Sequence, residues 1–224
     1  MAILVKTEEF SVGARRVKLF LPEQAPQTIL YIHADEEEVD GCAAAAGAGA
    51  AVACLSGVDW NGELSPWPAP RAFARGEDFR GEARKYLGEL TETIVPAVEA
   101  RLPQPPAVRG IAGYSLAGLF ALFAAWESPL FTRAASMSGS LWYESFVDYL
   151  RVTKPQGGLE HCYLSLGDRE SASRNARLAA VGARTQETKA LLEALGVPVT
   201  LVMQPGGHFN DVPARVEAGL LALL

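Results

Sequence analysis

Two kinds of apolar run take turns along the chain. One is short, continuous and rich in β-branched residues. The other is longer, and is either Ala-rich or spaced at three and four residues. The first kind predicts strands and the second helices. Phe10-Ser-Val and Val17-Lys-Leu-Phe-Leu, separated by a turn at Gly13, predict a β-hairpin over residues 6–22. Thr28-Ile-Leu-Tyr-Ile-His33 predicts a central strand buried on both faces, followed by a polar loop over 34–40. Residues 42–51 are Ala-rich and predict a helix weakened by Gly47 and Gly49, and 51–55 return as a strand. Tyr86, Leu87, Leu90, Ile94 and Val98 lie at helical spacing and predict a surface helix over 79–102, kinked at Pro96. Ala107, Val108, Ile111 and Ala112 predict a short buried strand, and the unbroken apolar run 119–126 a buried helix. Strands over 133–137, 161–166 and 197–203 then alternate with helices over 144–152, 175–195 and 212–224. Between 56 and 79 no period holds. That stretch carries Trp60, Trp67, Arg71 and Arg75 among several prolines, and a loop of such length inside a domain is commonly functional.

A hairpin followed by alternating strands and helices predicts an α/β fold with three layers and a mostly parallel central sheet. The 224 residues suit one domain over 1–224, without repeat or linker. In such sheets chemistry gathers at the carboxyl ends of the strands. A net charge of -6 with no basic run argues against a nucleic-acid partner. No uninterrupted apolar stretch reaches membrane-spanning length, and the Met1-Ala-Ile-Leu-Val-Lys start lacks the marks of a signal peptide, so a cytoplasmic, membrane-free protein is expected. Cys42, Cys54 and Cys162 have no metal-ligand spacing and read as buried reduced thiols.

Between the predicted strand near 110 and the helix after it stands Gly110-Ile-Ala-Gly113-Tyr114-Ser115-Leu116-Ala117-Gly118. A serine between strand and helix, with Gly at minus two and small residues at plus two and plus three, matches the nucleophile elbow of the α/β-hydrolases. Ala117 stands where the usual pattern has Gly. Two further predicted strand ends carry chemistry: Asp168 and Glu170 follow one, and His208 follows Gly206-Gly207 after the last. The chain order Ser, acid, His is that of the α/β-hydrolases. A serine hydroxyl is a poor nucleophile until an imidazole takes its proton, and a carboxylate behind the imidazole fixes its tautomer. Ser115, His208 and Glu170 are the expected triad, with Asp168 the alternative acid. For the oxyanion hole, the amide of Leu116 and that of Ala34 or Asp35 are expected. His33 and His161 read as structural. Trp67, Trp142 and Tyr143 are candidate walls of a substrate pocket.

Taken together, these stretches resemble the putative-esterase branch of the α/β-hydrolases, which includes enterochelin-esterase-like and esterase-D-like enzymes. The likeness rests on Ala112–Gly118, Ser138-Gly-Ser-Leu-Trp142-Tyr143, Gly167-Asp168-Arg169-Glu170 and Gly206-Gly207-His208, with Ser65-Pro-Trp67-Pro a fainter echo. It implies hydrolysis of a small-molecule carboxylic ester through an acyl-enzyme, with no metal and no cofactor. It also favours Glu170 as the acid. No long insert that would form a lid follows Ser115. A siderophore (enterobactin-type trilactone) esterase is an alternative, in which Arg71 and Arg75 would meet the anionic substrate. An acyltransferase on the same triad and a non-catalytic binding protein on the same fold are the other two. Oligomeric state is not legible.

Overall fold

A computed structural model of the chain describes residues 5–34, 39–73 and 75–224. The expected hairpin is β1 (Lys6–Val12) paired antiparallel with β2 (Arg15–Leu21). There follow β3 (Thr28–His33), α1 (Val39–Gly47) and β4 (Ala51–Ser56). The aperiodic stretch holds a one-turn α2 (Trp60–Glu63), whose amide at Gly62 is capped by the Asp59 carboxylate, and a two-residue ladder of β5 (Pro68–Ala69) with β6 (Phe79–Arg80). The middle of the chain forms α3 (Ala83–Glu89), α4 (Val95–Glu99), β7 (Val108–Tyr114), α5 (Leu116–Glu127), β8 (Arg133–Met137) and α6 (Phe146–Val152). The last third forms β9 (His161–Gly167), α7 (Ala176–Ala179), α8 (Val181–Ala194), β10 (Val199–Gln204) and α9 (Val212–Leu221).

Eight of these strands make one sheet in the order β1-β2-β4-β3-β7-β8-β9-β10. The β1–β2 and β2–β4 pairs are antiparallel; every pair from β4 to β10 is parallel. This is the three-layer α/β-hydrolase arrangement. One face of the sheet packs on α3 to α6 and α8 through residues such as Tyr31, Ile111, Phe120, Phe123, Phe146 and Leu192. The other packs on α1 and α9 through Ile32, Val52, Ala135, Val216 and Leu220. The strands β3 and β7 are buried on both faces, as continuous apolar runs require. Helix α5 is buried from Leu116 to Trp126, so it has no polar side. Each large apolar side chain it hides there contributes on the order of 2 kcal/mol. Cys42 on α1 faces Cys54 on β4 with their Sγ atoms 2.9 Å apart, and burial pushes the Cys162 thiol in β9 up.

Two expected helices are interrupted. In the first, Leu90–Ile94 widen into a π-turn between α3 and α4, and the Val95 amide reaches back five residues to Leu90. Pro96 has no N–H and its ring crowds the preceding turn, and the chain widens just ahead of it. In the second, the expected helix over 175–195 divides at Ala180. The hydroxyl of Ser171 accepts the Gly182 amide and so satisfies a donor at the new helix start.

Candidate active site

The parallel strands β7, β8, β9 and β10 all end at one rim of the sheet, and four loops leave it there. The first is the turn from β7 into α5. Ser115 sits in it at φ 56° and ψ -118°, a strained conformation for a residue with a side chain. The turn closes so tightly that a Cβ on Gly113 would lie 2.3 Å from the Ala117 backbone. That is why glycine stands two residues before the serine. The turn leaves the Leu116 amide at the head of α5, where no preceding turn supplies an acceptor.

The loop after β10 brings His208 to the serine. Its Nε2 lies 2.9 Å from Ser115 Oγ and its Nδ1 lies 2.8 Å from Glu170 Oε2. Glu170 comes from the short turn after β9, and its side chain is only 4% exposed. Its second oxygen, Oε1, accepts from the Ser138 hydroxyl at 2.8 Å and the Gly167 amide at 2.7 Å. Burial pushes this carboxyl up. The hydrogen bonds from His208, the Gly167 amide and Ser138 outweigh it, and the group is held below its ordinary value. It therefore stays ionised, as a carboxylate behind an imidazole must. Chemically, the arrangement can draw the proton from the serine hydroxyl as the oxygen attacks a carbonyl.

Asp168, the alternative acid, does not reach the imidazole. Its Oδ1 accepts the Gly206 amide at 2.8 Å and so ties the acid loop to the histidine loop. His33 is fully buried, with Nε2 2.8 Å from the Tyr86 hydroxyl and its ring edge-on to Tyr86 and Phe120. His161 lies near Thr200, at the opposite end of the sheet. Of the two expected partners to the Leu116 amide, Ala34 is corrected. Its N–H is turned to the Leu55 carbonyl at 3.4 Å and continues the β3–β4 ladder instead of facing the cleft. Asp35 lies outside the described residues, as do 36–38 of the expected polar loop.

A cleft of about 390 Å³ opens above Ser115, in the range that holds small organic ligands. The aperiodic stretch supplies one wall, with Trp60, Arg71, Phe73 and Phe79, and Trp142 and Phe209 add further apolar surface. Of the expected substrate-binding residues, Trp142 and Arg71 line this cleft. Trp67 and Tyr143 do not line this cleft. The Trp67 indole donates to the Glu144 carbonyl at 2.9 Å and packs on Phe146 and Tyr149. The Tyr143 hydroxyl donates to the Trp67 carbonyl at 2.5 Å, and its ring is buried. These two aromatics hold the wall from behind, because each has a polar tip that finds a backbone carbonyl only there.

Sequence reasoning missed four polar residues around the relay. Ser138 and Ser140 lie within the quoted Ser-Gly-Ser stretch, and only their position before Trp142 marked them. Ser140 Oγ is 3.5 Å from Ser115 Oγ. Tyr114 donates its hydroxyl to the His208 carbonyl at 2.6 Å. Arg215, on α9, carries no local motif at all. Among the described residues, no group of three or more His, Cys, Asp or Glu is placed to hold a metal ion, and no helix is long and apolar enough to cross a membrane.

Residues 31–210 match the family described as "Putative esterase". The "Uncharacterized protein YbbA" of Bacillus subtilis (strain 168) is 32% identical over 115 residues, which is 50% of this chain and 46% of that protein. The match thus spans about half the length of this curated relative. Among solved structures, an IroE-like serine hydrolase from Shewanella oneidensis superposes with a TM-score of 0.77 at 14% identity, over 98% of this chain and 79% of that one. The siderophore hydrolase EstB from Aspergillus nidulans superposes with a TM-score of 0.73 at 17% identity, over 98% of this chain and 95% of that one. At such identities the likeness is one of fold.

Proposed function

The chain belongs to the putative esterase family, and from that premise we propose that it is a serine hydrolase that cleaves a carboxylic ester through an acyl-enzyme intermediate. Ser115 Oγ attacks the ester carbonyl as His208 Nε2 takes its proton. The Leu116 amide donates to the oxygen on which charge develops. His208 then returns the proton to the leaving alcohol, and in the second half activates water to release the acid. Glu170 holds the imidazole in the right tautomer throughout. What carries this reading is the unbroken Ser115–His208–Glu170 chain, with contacts of 2.9 and 2.8 Å, at the floor of an apolar cleft.

A fluorophosphonate probe tests it. The folded protein should gain one adduct, mapped by mass spectrometry to Ser115, and Ser115→Ala should gain none and lose turnover of short p-nitrophenyl esters. Failure of the folded wild type to label would favour a binding protein on this fold. Added alcohol acceptors separate the two enzyme readings: free acid as the product fits a hydrolase, and transferred ester an acyltransferase. The similarity to a siderophore hydrolase, with Arg71 and Arg169 at the cleft, makes an enterobactin-type trilactone the most informative further substrate. Preferential cleavage of that compound over simple esters would narrow the function to siderophore hydrolysis.

A further inference from the structure

We infer that Arg215 is a positioning residue for the relay: from α9 it locks the loops carrying the acid and the base together and supplies the counter-charge to Glu170. The inference rests on the roles given above to Ser115, His208 and Glu170.

Arg215 is 1% exposed. A guanidinium taken out of water to that extent is costly unless acceptors meet its donors. Here both terminal nitrogens donate, and every partner they meet belongs to the parts that build the site. Nη1 donates to Ser138 Oγ at 3.0 Å, to the Tyr114 hydroxyl at 3.3 Å and to Glu170 Oε1 at 3.3 Å, and Nη2 donates to the Pro205 carbonyl at 2.9 Å. Those four partners lie at the end of β7, after β8, after β9 and after β10. One planar group therefore ties together the four strand ends that carry the relay, a task suited to a rigid fork. The crossing is close: a Cβ on Gly167 would meet the Gly206 carbonyl at 2.4 Å and Arg215 Nη1 at 3.1 Å.

The division of the carboxylate matters more. Oε1 is crowded by three donors, from Ser138, Gly167 and Arg215, while Oε2 faces His208. Glu170 is thus pinned with one oxygen turned to the imidazole. Through Tyr114, the same arginine also reaches the backbone of His208. The charged and titratable groups facing the acid–base pair are Arg215 from α9, Tyr114 from β7, and Asp168 and Arg169 beside Glu170, the last two on the solvent side. Arg215 is the buried cation among these. A fixed positive charge beside the pair offsets the Glu170 carboxylate. Its removal leaves that negative charge uncompensated, so the pair as a whole draws a proton more readily and the acidic limb of the rate profile moves to higher pH.

The test compares wild type, Arg215→Met and Arg215→Lys, each verified as folded by circular dichroism, for kcat and for the pH profile of kcat/KM on p-nitrophenyl acetate. Arg215→Met should lower kcat at least about tenfold and move the acidic limb up by about one pH unit. Arg215→Lys should keep the limb in place but lower kcat about fivefold, since an ammonium keeps the charge without the fork. A folded Arg215→Met with a wild-type acidic limb overturns the inference whatever its kcat, because loss of rate alone is what a purely structural arginine would give. Where Arg215→Met fails to fold, Arg215→Lys decides, and wild-type kcat in it overturns the inference. Ser115→Ala, run beside them, separates the two levels: if it keeps turnover, the reading of the site itself is wrong.

Discussion

His33 and His208 both stand at the carboxyl rim of the same sheet, one at the end of β3 and the other after β10, yet their surroundings make them different chemical objects. His33 is sealed among Tyr86 and Phe120, and burial, with a smaller contribution from the nearby Arg15 charge, lowers it to about 3. It is a neutral ring that fills space and meets one hydroxyl. His208 lies at the edge of a cleft, with a carboxylate at one nitrogen and a hydroxyl at the other. The lesson is that a strand end and an imidazole do not make a base. A base needs an ionised partner behind it, a proton in front of it and an opening through which substrate arrives.

The sharpest way to break this contrast is to remove each ring in turn. His208→Asn should lower kcat by about 10³-fold or more, while His33→Gln should leave kcat within about threefold, both measured on p-nitrophenyl acetate. Equal losses would mean that the two rings share the chemistry. Next in size is the partner behind the proposed base. Glu170→Gln should cost about 10³-fold in kcat and Asp168→Asn only about threefold, because Asp168 braces Gly206 without touching the ring. A reversal would make Asp168 the orienting acid.

The buried ring has its own signature, in stability. The unfolded chain protonates His33 near its ordinary value of 6.5, whereas the folded chain holds it neutral down to about 3. Below about pH 6.5 the unfolded state therefore binds the extra proton, and folding stability falls as pH falls, by up to about 1.4 kcal/mol per pH unit. Urea titrations between pH 6.5 and 5, above the carboxylate range, should show this slope in wild type and a shallower one in His33→Gln, where the remainder comes from His161, which burial also holds below its ordinary value. Glu170 adds a second loss further down. Its folded carboxyl is held below its ordinary 4.5, so its stabilisation is present above that value and disappears as pH falls through the lower one. The smallest effect belongs to Phe209, 84% exposed and edge-on to His208 at 5.0 Å. Phe209→Ala should change kcat and KM by no more than about twofold; a larger change would mean that the rim of the cleft orients the base.

The contrast between the rings was legible in the sequence because position along the chain carried it: His208 follows a glycine pair and the last strand, and His33 ends a fully apolar one. The strands and the elbow were legible for the same reason, since continuous apolar runs and small residues around Ser115 are local signals. What was hidden depends on distance. Trp67 and Tyr143 look like pocket aromatics until their polar tips are seen to bond backbone carbonyls behind the wall. The amide of Ala34 looks free until β4 is laid beside β3. Arg215 sits in a helix where an arginine needs no comment, and only the meeting of four distant loops gives it a role. The turn ahead of Pro96 fell between these cases: the proline marked the place, but not that the chain would widen there.

The strained backbone at position 115 sets chemistry and endurance against each other. A glycine would relax there, easing a conformation that costs a side-chain-bearing residue on the order of 1–3 kcal/mol. Ser115→Gly should accordingly outlast Ser115→Ala on heating, and both should be inert. Thermal selection alone, applied to this chain without an assay for turnover, would reward the loss of the proposed nucleophile.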